Sequence, residues 1–303
     1  MAVSPSMPDA PTPLEEAPLS LADGGPLFLK REDVHELGAF KWRGALPALE
    51  GFRDRGAGGV VTASTGNHGA ASAWAAERLG MRAVVFVPEE ASEAKVGLLE
   101  QLGAELRRIG ADLDESKDLA REYASANELP FFEDGAEPAQ YDGYAAIGEE
   151  ILKQLGRPPA RVIVPVGNGA LLIGVNRGIG RVLGVVAKEA PVMALSVEAG
   201  HPVECDQCAT FADGMAVRVA IPSVIEELRR GYPMMMVSER EIARAVGDYA
   251  RAGIRAEGAA GSALAAFREL APEHDPTVLI VTGRNIDDDL HRRAVEEPES
   301  FPD

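Results

Sequence analysis

Lys41 stands in the run Leu37-Gly38-Ala39-Phe40-Lys41-Trp42-Arg43-Gly44-Ala45 and is one of only six lysines among 303 residues. Arginine supplies the other 24 basic side chains, and a guanidinium does not form an imine. A lysine amine does, because desolvation lets it shed its proton and attack an aldehyde carbon. Trp42, Ala45, Leu46, Leu49 and Phe52 recur at helical spacing, which predicts a helix with an apolar face and Lys41 at its start. A lysine in that position is ordinarily a solvated surface charge, but Phe40 and Trp42 on either side favour partial burial.

Two further stretches combine polar groups with glycine. Ser64-Thr65-Gly66-Asn67-His68-Gly69 sets hydroxyls, an amide, an imidazole and two glycines at an expected helix start, where backbone N–H groups can receive a carboxylate. Ser64 or Thr65 can equally serve there as an ordinary helix cap. Gly167-Asn168-Gly169-Ala170, entering a helix expected near Leu171, offers close backbone approach and a helix dipole to a phosphate. Such a turn is as often only a tight connection.

The elements that must position these residues alternate along the chain. Short apolar runs at 27–29, 59–62, 83–87, 161–166, 192–197 and 277–281 read as buried strands, with helical patterns filling most gaps. That alternation predicts an α/β fold of two open parallel-sheet lobes with helices on both faces and right-handed crossovers. Three β-α units, 59–80, 81–103 and 104–129, fall in an expected small lobe, 48–143, which carries the Ser64 loop. Residues 1–47 plus 144–303 form the expected large lobe. In open parallel sheets ligands lie beyond the carboxyl ends of the strands, and the Ser64 and Gly167 loops and Thr282-Gly283-Arg284-Asn285 each follow an expected strand.

A net charge of −18 argues against nucleic acid or an anionic membrane as a partner. No run approaches the roughly 20 apolar residues of a membrane span, and the start of the chain lacks a basic, apolar leader, so a cytoplasmic protein is expected. Most of residues 1–25, rich in Pro, Ala, Ser and acids, is expected to be extended or frayed, with order beginning near Pro26. Cys205 and Cys208 form a single CxxC beside His201 and Glu204. A structural zinc site takes four N/S ligands, so two reduced thiols is the simpler reading, with zinc or redox chemistry as the alternative.

Taken in order, Lys30-Arg31-Glu32-Asp33, Gly38 to Ala45, Ser64 to Gly69, Ala212-Asp213-Gly214-Met215-Ala216-Val217 and Thr282 to Asn285 resemble the signatures of fold-type II pyridoxal-phosphate (PLP) enzymes, the tryptophan synthase beta-like superfamily. The branch they look most like is that of threonine/serine dehydratase and serine racemase, over roughly residues 26 to 290. The resemblance implies that Lys41 carries the cofactor as an imine and removes the substrate's α-proton, and that Phe40 packs beside the cofactor ring. Asn67 would hydrogen-bond the ring hydroxyl and lie against the substrate, while Ser64, Thr65 and His68 hold the substrate carboxylate. Gly167, Asn168, Gly169, Ala170 and Leu171 would cradle the phosphate. Thr282 would face the pyridine nitrogen, and Glu257 would lie near the cofactor. A neutral hydroxyl at Thr282 leaves the ring a weaker electron sink than an aspartate would, which favours expelling a β-substituent over transamination.

The implied activity is that of an ammonia-lyase (dehydratase) removing water from a β-hydroxy amino acid such as L-threonine or L-serine, giving a 2-keto acid and ammonia. A small amino-acid substrate and a homodimer are implied with it. A Mg or Ca site is implied too, by a pattern of a Glu at a strand end, a backbone carbonyl and an acid six residues after the Glu, which Glu198, Pro202 and Glu204 match. Departures keep other reactions open. Asn168 and Ala170 replace glycines of the phosphate loop, which resembles threonine synthase and its replacement chemistry. Thr65 stands where racemases place a serine, and Arg284 replaces a frequent Gly, as recognition of a second carboxylate by a hydroxyaspartate lyase would need, or as a structural ion pair would. A non-catalytic ligand-binding protein on the same scaffold is the alternative from another class. With no module of about 80 residues after Asp303, an appended effector site is not expected.

Overall fold

Along the chain the strands are β1 (Leu14–Glu16), β2 (Leu27–Arg31), β3 (Gly59–Ala63), β4 (Arg82–Val87), β5 (Glu105–Arg108), β6 (Arg161–Pro165), β7 (Val182–Ala187), β8 (Met234–Val237) and β9 (Thr277–Val281). The helices are α1 (Trp42–Asp54), α2 (Asn67–Leu79), α3 (Glu93–Gln101), α4 (Leu113–Ala126), α5 (Pro138–Leu155), α6 (Ala170–Ile179), α7 (Val192–Ala199), α8 (Pro222–Leu228), α9 (Glu239–Arg251), α10 (Gly258–Arg268) and α11 (Asp288–Glu296). The structure, a computed structural model, describes residues 11–18, 20–22, 26–205 and 208–303. They fall into two units, one of Lys41–Gly143 and one of Pro11–Phe40 with Tyr144–Asp303.

The first unit holds a parallel sheet in the order β3-β4-β5. Alternate residues of β4 face opposite ways, as the two-residue period of a strand requires. Val84 and Phe86 pack on Ala120 and Ala124 of α4, while Val85 and Val87 pack on Ala70 of α2 and on Val96 and Leu99 of α3. Both faces are therefore covered by helices, and the strand reads as an unbroken apolar run.

The second unit holds a six-stranded sheet in the order β1-β2-β9-β6-β7-β8, parallel except for the β1–β2 pair. Leu27, Leu29, Ile163, Val185, Leu279 and Val281 face Ile242 and Tyr249 of α9 and Leu264 of α10 in one buried cluster. The alternate residues Val162, Val164, Val278 and Ile280 are fully buried as well, so this sheet is also covered on its other side.

The structure differs from two sequence expectations. Residues 192–197 belong to helix α7, and the strand of that region is β7, ten residues earlier. A lone apolar run of six fits a buried helix as well as a strand, and Pro191 before it with Gly200 after it, at φ +77°, are the punctuation of a helix. The N-terminal arm is not wholly frayed: Leu14–Glu16 pairs with β2. The remainder of that expectation at residues 1–10, 19 and 23–25 lies outside the described residues.

Lys30 explains part of the order of the arm. Its side chain is fully buried, and its amine donates to Thr12 O at 2.7 Å, Glu150 Oε2 at 2.5 Å and Gln154 Oε1 at 3.0 Å. Thr12 Oγ1 in turn donates to the buried Glu32 at 2.6 Å. Removing one partner of a buried ion pair leaves the other charge unpaired in low dielectric, so Lys30→Met is expected to lower folding stability by about 3–5 kcal/mol. Denaturant melts at neutral pH would check this, and a loss below about 1 kcal/mol, the range of a surface pair, would contradict it.

Candidate active site

Lys41 is the residue just before α1, already helical at φ −59° and ψ −24°. Its carbonyl accepts from Gly44 N and Ala45 N, which anchors the backbone, while Trp42, Ala45, Leu46, Leu49 and Phe52 are buried behind it. The lysine side chain is 14% exposed and the side chain facing it, Asp134, is 27% exposed, so both are shielded without being sealed. Nζ donates to Asp134 Oδ2 at 2.5 Å.

Asp134 is not among the residues that the sequence singles out, and its neighbourhood defines the setting of Lys41. Burial works to raise the carboxyl's pKa, but the charge and hydrogen bond of Lys41 outweigh it, and the group is held well below the ordinary carboxylate range. His68 Nδ1 lies 3.5 Å from Asp134 Oδ1. Burial pushes the imidazole pKa down, the Lys41 charge pushes it the same way, and Asp134 opposes only in part. His68 is thus neutral near pH 7, and the cation that holds Asp134 ionised is Lys41.

The Ser64 loop follows β3 and opens α2, as its position in the sequence implied. Gly66, not Ser64 or Thr65, occupies the N-cap position. Ser64 Oγ accepts from Gly66 N at 3.2 Å just ahead of the helix, and no side chain caps it. Ser64, Thr65 and Asn67 are half-buried and His68 is buried. The turn is tight: a Cβ on Gly69 would meet Ser64 O at 2.5 Å, so only glycine fits beneath that carbonyl. The first-turn N–H groups of α2, which a helix cannot satisfy internally, are the groups that a carboxylate could take.

In the second unit four loops meet at the carboxyl ends of the sheet. Gly167 lies directly against the 212–215 segment, where its Cβ would fall 2.3 Å from Gly214 O. Gly169 is the left-handed N-cap of α6 at φ +88°, and Asn168 Oδ1 accepts from Ala170 N at 3.1 Å. A Cβ on Gly258 would touch Ala212 Cα at 2.8 Å, and Glu257 N donates to Gly283 O at 3.0 Å. Thr282 Oγ1 donates to Glu257 Oε1 at 2.8 Å, both residues being buried. With its proton committed to Glu257, the Thr282 hydroxyl presents a lone pair to any further partner. Phe40 N donates to Thr282 O at 3.0 Å, and the Phe40 ring rests on Tyr144 with centroids 5.1 Å apart. Phe40, Gly167, Asn168, Gly169, Glu257 and Thr282 are thereby organised within one unit, and Ser64, Thr65, Asn67, His68 and Lys41 within the other.

Of the cation set Glu198, Pro202 and Glu204, the first acid does not stand at a strand end. The pattern needs an acid at a strand end, but Glu198 lies in α7 and Glu204 is bridged to Val219. The strand of this region, β7, ends in the buried apolar residues Val186 and Ala187. Among the described residues no group of three or more His, Cys, Asp and Glu side chains is placed to hold a metal ion. Cys205 and Cys208 are not joined in a disulfide, and Cys208 Sγ donates to Val217 O at 3.1 Å. Arg284 donates to the main-chain oxygen of Asp33. No helix among the described residues is long and apolar enough to cross a membrane.

The chain is 34% identical over 277 residues to "L-threonine ammonia-lyase" of Geobacter sulfurreducens, covering 87% of this chain and 68% of that protein. It is 32% identical over 289 residues to "L-threonine dehydratase biosynthetic IlvA" of Pasteurella multocida, covering 91% of this chain but 56% of that one, so it spans little more than half of the latter's length. Among solved structures, the processed form of threonine deaminase isoform 2 from Solanum lycopersicum superposes with a TM-score of 0.88 at 28% identity, covering 96% of this chain and 89% of that one. The family described as "Pyridoxal-phosphate dependent enzyme" matches residues 6–283, nearly the whole chain, and the protein belongs to it.

Proposed function

We propose that the chain is a PLP-dependent ammonia-lyase that removes water from a β-hydroxy amino acid such as L-threonine or L-serine, releasing a 2-keto acid and ammonia. The observation that carries the reading is Lys41, a shielded amine fixed at a helix start with a carboxylate on its Nζ. The residues present fit the cofactor. Gly167 and Gly169 keep Cβ atoms out of the turn before α6, where first-turn N–H groups suit a phosphate, and Thr282 offers a buried oxygen beside Glu257. When bound, PLP supplies an aldehyde for the amine and an electron sink for charge left at Cα.

The chain's own residues divide the remaining work. Gly167, Asn168, Gly169, Ala170 and Leu171 would bind the phosphate through backbone N–H groups. Phe40 would pack against the ring, Asn67 and Thr282 would address its polar edge, and Glu257 would orient the Thr282 hydroxyl. Ser64, Thr65 and His68 would hold the substrate carboxylate, chiefly through the N–H groups that open α2, and so set the Cα–H bond towards Lys41. Lys41 Nζ would then take that proton. The small lobe bearing the Ser64 loop would be the substrate-binding part of the molecule, and the protein would act as a cytoplasmic homodimer.

The test is product analysis on protein reconstituted with PLP, using threonine, serine and other β-hydroxy amino acids. Keto acid and ammonia in equal amounts from the amino acid alone support the lyase. Chiral inversion without release would indicate a racemase, a requirement for a second reactant would indicate replacement, and turnover confined to a hydroxyaspartate would indicate the dicarboxylate lyase. A protein that takes up no PLP would remove the reading altogether.

A further inference from the structure

The chain segment before α5 delivers Asp134 to Lys41 with unusual care. Phe131 pairs in parallel with Val61, Phe132 N donates to Val61 O at 2.7 Å, and Val61 N donates to Pro130 O at 3.0 Å, so residues 130–132 extend the β3 edge. The carboxylate emerges two residues later. Gln140, almost fully buried, donates through Nε2 to Asp134 Oδ1 at 3.2 Å and accepts through Oε1 from Gly135 N at 2.9 Å. Tyr141 Oη donates to Gly135 O at 2.6 Å. One oxygen of Asp134 is thus oriented by the start of α5, leaving the other for Nζ.

The third group is His68. Its Nε2 faces Phe132 O at 3.2 Å and Thr62 Oγ1 at 3.1 Å. The carbonyl only accepts, and Thr62 gives its own proton to the same carbonyl at 2.8 Å. Nε2 therefore carries the hydrogen, and in the neutral ring Nδ1 turns a lone pair towards Asp134. The imidazole cannot replace Lys41 as the proton donor on that carboxylate without itself taking up a proton. Lys117, whose charge also bears on His68, pairs with Glu133 at 2.6 Å, and Arg121 pairs with the same carboxylate at 3.0 Å.

From this geometry we infer that Asp134 is the positioning residue of Lys41: it aims Nζ and faces the ammonium formed when Lys41 takes the substrate's proton. The inference rests on the function proposed above. In the step concerned the Cα–H bond breaks, an N–H bond forms at Nζ, the bonding electron pair stays with the substrate, and the new positive charge appears against Oδ2. Without the carboxylate that charge forms in a shielded site and loses the counter-charge that Oδ2 supplies, which disfavours the transfer.

The experiment uses PLP-loaded Asp134→Asn and Asp134→Glu proteins, with thermal melting as a control for folding. Three quantities are read: kcat, the pH dependence of kcat, and the pH at which the visible absorbance of the loaded protein changes. Asp134→Asn is expected to retain PLP, to lose roughly 100-fold in kcat with little change in KM, and to move both pH transitions to lower pH by roughly one unit. Asp134→Glu, which keeps the charge, is expected to restore the pH transitions but only part of kcat. A loaded Asp134→Asn protein with wild-type kcat and unmoved transitions would overturn the inference while leaving the proposed function standing. Wild-type protein that binds no PLP would remove both together. If Asp134→Asn does not fold, Gln140→Ala decides: a kcat lowered roughly ten-fold at unchanged KM supports the inference, since the carboxylate has lost its anchor, and an unchanged kcat overturns it.

Discussion

Lys41→Ala yields a folded protein whose release of keto acid falls by roughly 10⁴-fold, the upper end of what one positioned acid–base group contributes. The amine just before α1 is the group that could both hold an aldehyde and move a proton, and arginine, which dominates the basic residues of this chain, can do neither. The same substitution strips Asp134 of its cation. Because both side chains keep some contact with solvent, the stability cost is about 1–3 kcal/mol, less than for a sealed pair.

That cost is larger at neutral pH than in acid. The folded carboxyl of Asp134 titrates below its unfolded value, so its contribution is full above the unfolded pKa of about 3.9 and disappears as pH falls through the folded one. Lys41→Ala removes the main cause of the depression, so the gap between wild type and variant is larger near pH 7 than near pH 3. Melting curves at the two pH values, with keto acid release at the higher, check both halves. Unchanged turnover would end the assignment of Lys41 as the proton-moving group, and a gap that widened in acid would contradict the pairing with Asp134.

The sequence shows where polar groups meet strand ends far better than it shows which side chains meet each other. The Ser64, Gly167 and Thr282 loops follow β3, β6 and β9 because a buried parallel strand announces itself as an apolar run, and the residues after it must turn. Lys41 was legible from residue type and from the helical spacing behind it. Asp134 was not, because the Lys41–Asp134 contact joins residues 93 apart, and no periodicity encodes such a pairing. A faint signal existed: Glu133 and Asp134 follow the apolar Phe131-Phe132, much as the Ser64 loop follows its strand. Lys30 is a similar case, its type suggesting a surface charge until Glu150 and Gln154 of α5 are seen to enclose it. Residues 192–197 failed for the opposite reason, since local pattern there was strong but two-valued, and with that segment in α7 the acid at 198 no longer sits where a cation pattern requires.

Gly167→Ala is the second substitution with a large expected effect, and it tests the turn before α6. The new Cβ would fall 2.3 Å from Gly214 O, a backbone atom that cannot swing aside as the end of a side chain can. Either the Gly167 turn or the Ala212–Met215 segment must move, and both loops border the N-terminus of α6. A shift that takes one charge-assisted N–H bond from a phosphate costs about 1.5–3 kcal/mol, so the affinity for PLP is expected to fall roughly 10- to 100-fold. Pyridoxal, which has the same aldehyde and ring but no phosphate, should lose far less. Titrating wild type and variant with both compounds separates the causes: equal losses would mean that the substitution disturbs the ring or Lys41, and an unchanged PLP affinity would mean that this turn is not the phosphate cradle. Gly169→Ala provides the contrast. Its Cβ would meet side-chain ends, those of Val224 at 2.6 Å, Leu228 at 3.1 Å and Met193 at 3.7 Å, and its chief penalty is the left-handed backbone at φ +88°, about 1–2 kcal/mol of folding stability. Gly167→Ala should therefore register first in cofactor affinity and Gly169→Ala first in melting temperature, an ordering that follows from whether the obstacle is a fixed carbonyl or the torsion of the residue itself.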